Sequence, residues 1–169
     1  VHIPEPRSPF VRRDWLLPRL EDPPEKLPRR LTSAQVDGWL ATGSAREPRL
    51  HATLRAMYEL NLAWGDERFG RLLAALERSG QRSRTLLIVA GVRGDDFAEG
   101  GASGRDGGLG RTAIETPLAI DFPEGWDRRP AASSGSRVGV ARLFATILEA
   151  TGGAVPPAVA PSLFRDDPR

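Results

Sequence analysis

Residues 85–90 read TLLIVA and residues 117–122 read PLAIDF. Both runs are short and apolar, and the first follows a long helical pattern after a brief turn. An apolar run of this length without polar alternation is typical of a strand that is buried on both faces of a parallel sheet. The two runs therefore predict a small buried sheet within an α/β fold.

Helical patterns flank the predicted sheet. Apolar residues recur at spacings of three and four over residues 50–79, which predicts one long helix that Gly80 ends. Shorter helices are predicted over residues 32–40 and 138–151. The apolar face of the last helix is expected to contain Val140, Leu143, Phe144, Ile147 and Leu148.

Proline content divides the chain into three predicted segments. Residues 1–30 contain seven prolines, and the last sixteen residues contain four. Because proline lacks the backbone N–H and resists helix interiors, both ends are predicted to be extended. We therefore expect an arm at residues 1–31, an α/β domain at 32–153 and an extended tail at 154–169.

The arm carries large apolar side chains, among them Phe10, Trp15, Leu16 and Leu17. A free disordered segment rarely has this composition. The arm is therefore expected to bury these groups on a surface, either of its own domain or of another protein. These four residues are the candidates for partner binding, and Trp15 is the strongest of them.

Only two convincing strands appear in the sequence. A two-stranded sheet is a poor core, and its unpaired edges favour association with further strands. Either residues 1–30 contain strands that the pattern does not reveal, or another polypeptide completes the sheet.

Composition excludes several kinds of site. The chain has no cysteine and two histidines, so thiolate chemistry is excluded and an autonomous zinc site is not expected. No cofactor is predicted. The net charge is only +2, and the arginine pairs are scattered among acidic residues, so no nucleic-acid partner is expected. No apolar run approaches the roughly 20 residues that span a bilayer.

Five ordered segments resemble the C-terminal half of sulfatases of the alkaline-phosphatase superfamily. Residues 84–101, RTLLIVAGVRGDDFAEGG, are similar to a stretch that in the family typically reads TLVIFTSDHGEEFGEHG. The five segments occur in the same order as in the family. The other four are residues 1–10, 58–80, 107–123 and 137–164. The resemblance implies a sulfatase-like α/β fold for most of the chain.

The metal-binding residues of that family are replaced. The Asp and His of its SDHG motif bind the catalytic metal, and the matching positions are Val92 and Arg93. A later basic residue of the family falls near Gly107, and a second histidine falls on Glu5. Valine has no donor atom, and arginine is a permanent cation that repels a divalent ion.

The resemblance and the lost ligands together favour a non-catalytic, sulfatase-derived structural or interaction subunit. We expect other protein subunits as partners, in a hetero-oligomeric assembly that a membrane complex would also fit. Sulfatases are mostly exported, so the resemblance implies a bacterial protein of the periplasm or of a membrane surface. The chain starts at Val1, so either an upstream segment was removed or the sequence is part of a longer product.

Two other functions remain open. The chain could be the C-terminal half of an active metal-dependent sulfatase or phosphohydrolase whose nucleophile lies in a separate N-terminal half. It could also bind sulfated or phosphorylated ligands through Arg93, where the metal once lay. The acidic residues Asp95, Asp96, Glu99 and Asp106 are interpreted as a solvated loop rather than a cation site.

Overall fold

The computed structural model describes residues 1–4, 6–95, 97, 110–128, 130–131 and 135–165. The chain forms two compact units, Val1–Asp121 and Phe122–Arg169. Helices and two small sheets build the first unit, and one helix with its following tail builds the second. The mixed helix and strand content agrees with the predicted α/β class.

Helix α2, Pro48–Arg78, is the longest element of the first unit. The Glu47 side chain accepts a hydrogen bond from the Leu50 N–H, and Pro48 occupies the first turn, where its missing N–H costs nothing. Gly80 follows the helix with a φ of 65° and closes a Schellman motif, in which Gln81 N–H donates to Leu76 O at 3.0 Å. The helix therefore lies within two residues of its predicted limits.

Helix α1, Ser33–Ala41, begins with a capping box. The Thr32 hydroxyl accepts from Gln35 N–H, and the Gln35 side chain accepts from Thr32 N–H. Val36 and Leu40 face the core. The predicted helix over residues 32–40 is confirmed.

The N-terminal segment is folded rather than extended. Strand β1, Phe10–Val11, pairs antiparallel with β2, Arg30–Leu31, and a 3₁₀ helix spans Asp14–Arg19 between them. The prolines exclude long regular elements but are compatible with a 3₁₀ turn, which here includes Pro18. The two short strands escape prediction because two residues give no alternation to read.

The segment lies against α2 and shares one hydrophobic core with it. Its side chains join those of α1 and α2 in this core, which explains why the segment carries so many apolar residues. The buried core consists of Phe10, Leu16, Leu31, Val36, Leu40, Ala45, Leu54, Met57 and Leu60.

The second sheet pairs β3, Leu87–Ala90, with β4, Leu118–Asp121. The strands are antiparallel, with Leu87 opposite Asp121, so the prediction of a parallel sheet is wrong. The prediction of burial on both faces is also wrong, because Val89 is 40% exposed. An apolar run indicates a strand but not its direction, and residues 91–117 leave room for either kind of connection.

A short helix, α3 at Arg111–Ile114, lies against the chain that leaves β3. Gly94 N–H donates to Ala113 O at 3.0 Å. A Cβ atom at Gly94 would lie 1.8 Å from the Thr112 carbonyl oxygen, so only glycine fits this approach.

The second unit is organised around α4, Arg142–Ala150. Gly152, with a φ of 77°, ends the helix, and Gly153 N–H donates to Leu148 O at 2.7 Å. The predicted face is not in the core, because Val140, Phe144 and Ile147 are exposed. The buried positions of α4 are Arg142, Ala145 and Thr146.

Within the described ranges, no helix has both the length and the apolar character needed to cross a bilayer.

Candidate functional site

Two tryptophans form the core of the candidate interaction surface on the first unit. Trp15, in the 3₁₀ helix, meets Trp64 of α2 edge to face, with ring centroids 6.1 Å apart and an interplanar angle of 80°. This geometry places the positive ring edge of one indole on the negative face of the other. Trp15 is nevertheless 63% exposed. A large apolar side chain is thus held in place and left open to solvent.

Two guanidinium groups stack on the same indole. The Arg13 guanidinium carbon lies 4.7 Å from the centroid of Trp64, and that of Arg71 lies 5.4 Å away. Both distances are within the range of a cation–π interaction. We call Arg13, Trp15, Trp64 and Arg71 the Trp–Arg surface.

Hydrogen bonds fix one side of this surface. Arg13 Nη1 donates to Val11 O at 3.1 Å and to Asn61 Oδ1 at 3.0 Å. Asn61 also accepts from Val11 N–H and donates to Val11 O. The guanidinium and the chain leading to Trp15 are therefore held on α2 before any partner binds.

Two acidic side chains of the same two elements pair with arginines outside this surface. Asp14 accepts from Arg12 at 2.7 Å, and Glu67 pairs with Arg19 at 3.3 Å. Arg71 makes no ion pair within the described part of the chain. The Trp–Arg surface itself combines two indole rings with two permanent positive charges and contains no acidic residue.

The four partner candidates of the sequence separate in the structure. Phe10 and Leu16 lie in the core, and Leu17 packs against it and is partly buried. Trp15 is the only one of the four whose side chain lies mostly in solvent. The other three candidates are therefore covered by the first unit itself.

Val92 and Arg93 lie in an exposed stretch after β3, and the Val92 side chain is 87% exposed. Asp95, two residues farther on, is partly buried. No group of three His, Cys, Asp or Glu side chains suited to a metal ion occurs among the residues that are described. The remaining positions of the sequence analysis lie outside the described residues, namely Gly107, Glu5, Asp96, Glu99 and Asp106.

Arg142 holds the tail of the second unit. Its guanidinium donates to three carbonyl oxygens, at distances between 2.6 and 3.0 Å. These acceptors are the carbonyls of Pro161, Ser162 and Arg165. A buried arginine that donates to three backbone acceptors fixes an otherwise irregular segment.

Thr146 and Glu149 extend this contact along α4. The Thr146 hydroxyl accepts from Leu163 N–H at 2.9 Å. Glu149 accepts from the Ser162 hydroxyl and, at 2.6 Å, from Arg128. The Ser162 hydrogen bond first, and then that of Arg128, lower the pKa of Glu149 from 4.5 to about 2.

Sequence reasoning found Trp15 but missed Arg13 and Arg71, and it did not pair Trp15 with Trp64, which is partly buried and packs against the core as well. The helical spacing from Trp64 to Arg71 is seven residues, which places both on one side of α2. The two arginines could have been suspected from that spacing and from the position of Arg13 two residues before Trp15. Their common position over Trp64 depends on how the arm folds, which no local pattern gives.

Comparisons with protein-family models, curated proteins and solved structures found no match to this chain.

Proposed function

We propose that this chain is a non-catalytic structural or interaction subunit, derived from a sulfatase-like protein, that binds other protein subunits in a larger assembly. The observation that carries the proposal is the Trp–Arg surface, where an exposed tryptophan is braced by a second tryptophan and two arginines.

The composition of this surface supports protein binding. Tryptophan and arginine are among the residue types most enriched at the energetically dominant positions of protein interfaces. Trp15 and Arg13 are held by ring and hydrogen-bond contacts in the free chain. Little side-chain entropy is then lost on binding, which raises affinity without new contacts.

The charge of the surface indicates the chemistry of the partner. Arg13 and Arg71 place two positive charges on the indole of Trp64, beside the exposed ring of Trp15. The neighbouring carboxylates of Asp14 and Glu67 pair with arginines outside the surface. A partner segment that combines apolar side chains with Asp or Glu would complement it.

The non-catalytic part of the proposal rests on residue chemistry. If the sulfatase-like alignment of residues 84–101 holds, Val92 and Arg93 stand where the family has metal ligands. Neither side chain can bind a divalent cation. The active-hydrolase alternative requires another polypeptide to supply both of these ligands as well as the nucleophile.

The test is gentle purification of the tagged chain from its source, followed by native mass spectrometry. We expect the wild-type chain to appear with an unrelated protein subunit in fixed stoichiometry, and the Trp15→Ala variant to lose at least about nine-tenths of that subunit. At partner concentrations below the dissociation constant, a loss of this size corresponds to about 1.4 kcal/mol or more at a dominant interface residue.

Leu62→Ala is the matched control, because Leu62 is an exposed apolar residue of the same unit that takes no part in the Trp–Arg surface. It should retain the partner. Retention of the partner by Trp15→Ala would contradict the proposed surface. Recovery of the chain with a sulfatase-like N-terminal half and a stoichiometric divalent metal would replace the proposal by the active-hydrolase alternative.

A further inference from the structure

The backbone of the β3–β4 sheet has defined groups that its own ladder does not pair. Gly91 N–H donates to Pro117 O at 2.9 Å, and these two residues are opposite each other in the observed register. Hydrogen-bonded and non-hydrogen-bonded pairs alternate along an antiparallel ladder. Ile88 and Ala90 therefore direct their N–H and C=O groups away from β4. The corresponding residues of β4 direct theirs away from β3.

The outer edges of β3 and β4 differ in how well they are protected against pairing with another strand. Strand β4 is preceded by Pro117 and ends at Asp121, which forms an ion pair with Arg82. Proline and charge are the usual devices that prevent an edge from pairing further. Residues 85–92, which contain β3, have neither a proline nor a charged side chain. Among the residues that the structure describes, the edge of β3 is therefore the unprotected one.

The side chains of the two strands also suit different positions in a sheet. Strand β3 is apolar on both faces, with Leu87 and Val89 on one face and Ile88 and Ala90 on the other. Such a strand is typical of the inside of a sheet. Strand β4, with its terminal aspartate, is typical of an edge.

We propose that β3 pairs antiparallel with β3 of a second copy of this chain, giving a four-stranded sheet in the order β4, β3, β3, β4. A second copy suits this edge because two uncharged strands meet without like charges. Each copy contributes the unprotected edge of this sheet, so a two-fold pair uses both and leaves only the protected β4 edges outside.

The outward backbone groups of Ile88 and Ala90 fit a register centred on Val89, which is the register that we propose. Ile88 of each copy exchanges hydrogen bonds with Ala90 of the other, which places the two Val89 residues opposite each other at the two-fold axis. In a non-hydrogen-bonded antiparallel pair the Cα atoms are about 4.5 Å apart. Strands this short bury less than the roughly 1,000 Å² of a stable interface, so the dimer is weak and depends on concentration.

The absence of cysteine from the chain makes a sharp test possible. Val89→Cys introduces one thiol at the axis, at a separation that a disulfide accepts. Under mild oxidation at high protein concentration we expect most of this variant to become a covalent dimer.

Ala119→Cys is the control, because Ala119 is exposed and lies opposite Val89 on the same face of the sheet. Its distance to the same residue of the second copy would be about three strand spacings, or ~14 Å, which is too far for a disulfide. Equal cross-linking of the two variants, or none in either, would overturn the proposal.

Sedimentation equilibrium of the chain without cysteine provides an independent measurement. Ile88→Pro removes an outward N–H without removing a hydrogen bond to β4, so it should abolish dimers. Ile120→Pro makes the same change at the protected edge and should leave them unchanged. A wild-type chain that stays monomeric at its highest attainable concentration would exclude the pairing.

The proposed function is tested at Trp15, so either proposal can fail without the other.

Discussion

At the scale of single residues, one buried amide fixes the N-terminal segment to α2. Asn61 is 2% exposed. Its Nδ2 donates to Met57 O at 2.7 Å and to Val11 O at 3.2 Å, and its Oδ1 accepts from Arg13. The Asn61 amide thus binds the N–H and C=O groups of Val11, which β1 leaves unpaired, and it orients Arg13 over Trp64.

Asn61→Leu should therefore destabilise the first unit. The substitution keeps the branched shape of the side chain but removes the amide that pairs with Val11, Met57 and Arg13. We expect a loss of about 1–3 kcal/mol in the free energy of unfolding. Urea unfolding at neutral pH would measure it. The neighbouring Leu62→Ala, at an exposed position, should change the value by no more than about 0.5 kcal/mol. Equal effects of the two substitutions would show that the amide does not hold the segment.

At the scale of elements, polar side chains of α4 hold the tail of the second unit against the helix. Arg142, Thr146 and Glu149 all bind the tail. The pKa of Glu149 is lowered to about 2 in the folded chain, because the Ser162 hydroxyl and Arg128 stabilise the carboxylate. The associated stability is present above the ordinary pKa of 4.5 and is lost as the pH falls towards 2.

Glu149→Gln should test this contribution to the second unit. We expect the variant to be less stable than the wild-type chain at pH 7, and the difference to shrink as the pH falls from about 4.5 to 2. Urea unfolding followed through the NMR amide signals of residues 142–150 would measure both chains across this range. Glu124→Gln, at an exposed position of the same unit, is the control. If the stability difference between the wild-type chain and Glu149→Gln does not vary with pH, the assignment is wrong.

Elements with local signals were predictable, whereas pairings between distant segments were not. The limits of α2 follow from apolar spacing and from Gly80, both of which act within a few residues. The antiparallel direction of the β3–β4 pair does not follow from such a local signal, because the same apolar run fits parallel and antiparallel neighbours. Arg142 was not expected to be buried, since its acceptors lie 19 to 23 residues farther along the chain.

Only part of the Trp–Arg surface could be predicted from the sequence. Trp15 could be selected because it is a large apolar residue within the proline-rich arm. Its ring partner Trp64 lies on a helix pattern that predicts a core position equally well. Whether the chain belongs to a degenerate sulfatase lineage stays a prediction, as do the roles of Val92 and Arg93.

At the scale of the whole molecule, the aromatic side chains are distributed against their local patterns. Phe10 comes from a segment rich in proline, yet it is fully buried and meets Tyr58 edge to face at 6.1 Å. Phe144 comes from the apolar face of a helix, yet it is 55% exposed. Burial in this chain is set by which tertiary partners the segment finds, and not by its amphipathic pattern alone.

The same substitution at these two positions should therefore have very different effects. Phe10→Ala removes a fully buried ring and leaves a cavity, so we expect a loss of about 3–5 kcal/mol in the free energy of unfolding of the first unit. Phe144→Ala removes a ring that is mostly in water, and we expect the second unit to lose about 1 kcal/mol or less. Urea unfolding of each variant, followed through NMR amide signals of the unit concerned, would measure both. A loss at Phe144 as large as that at Phe10 would mean that the apolar face of α4 is covered in solution. The measurement would then have to be repeated over a range of protein concentrations to identify what covers it.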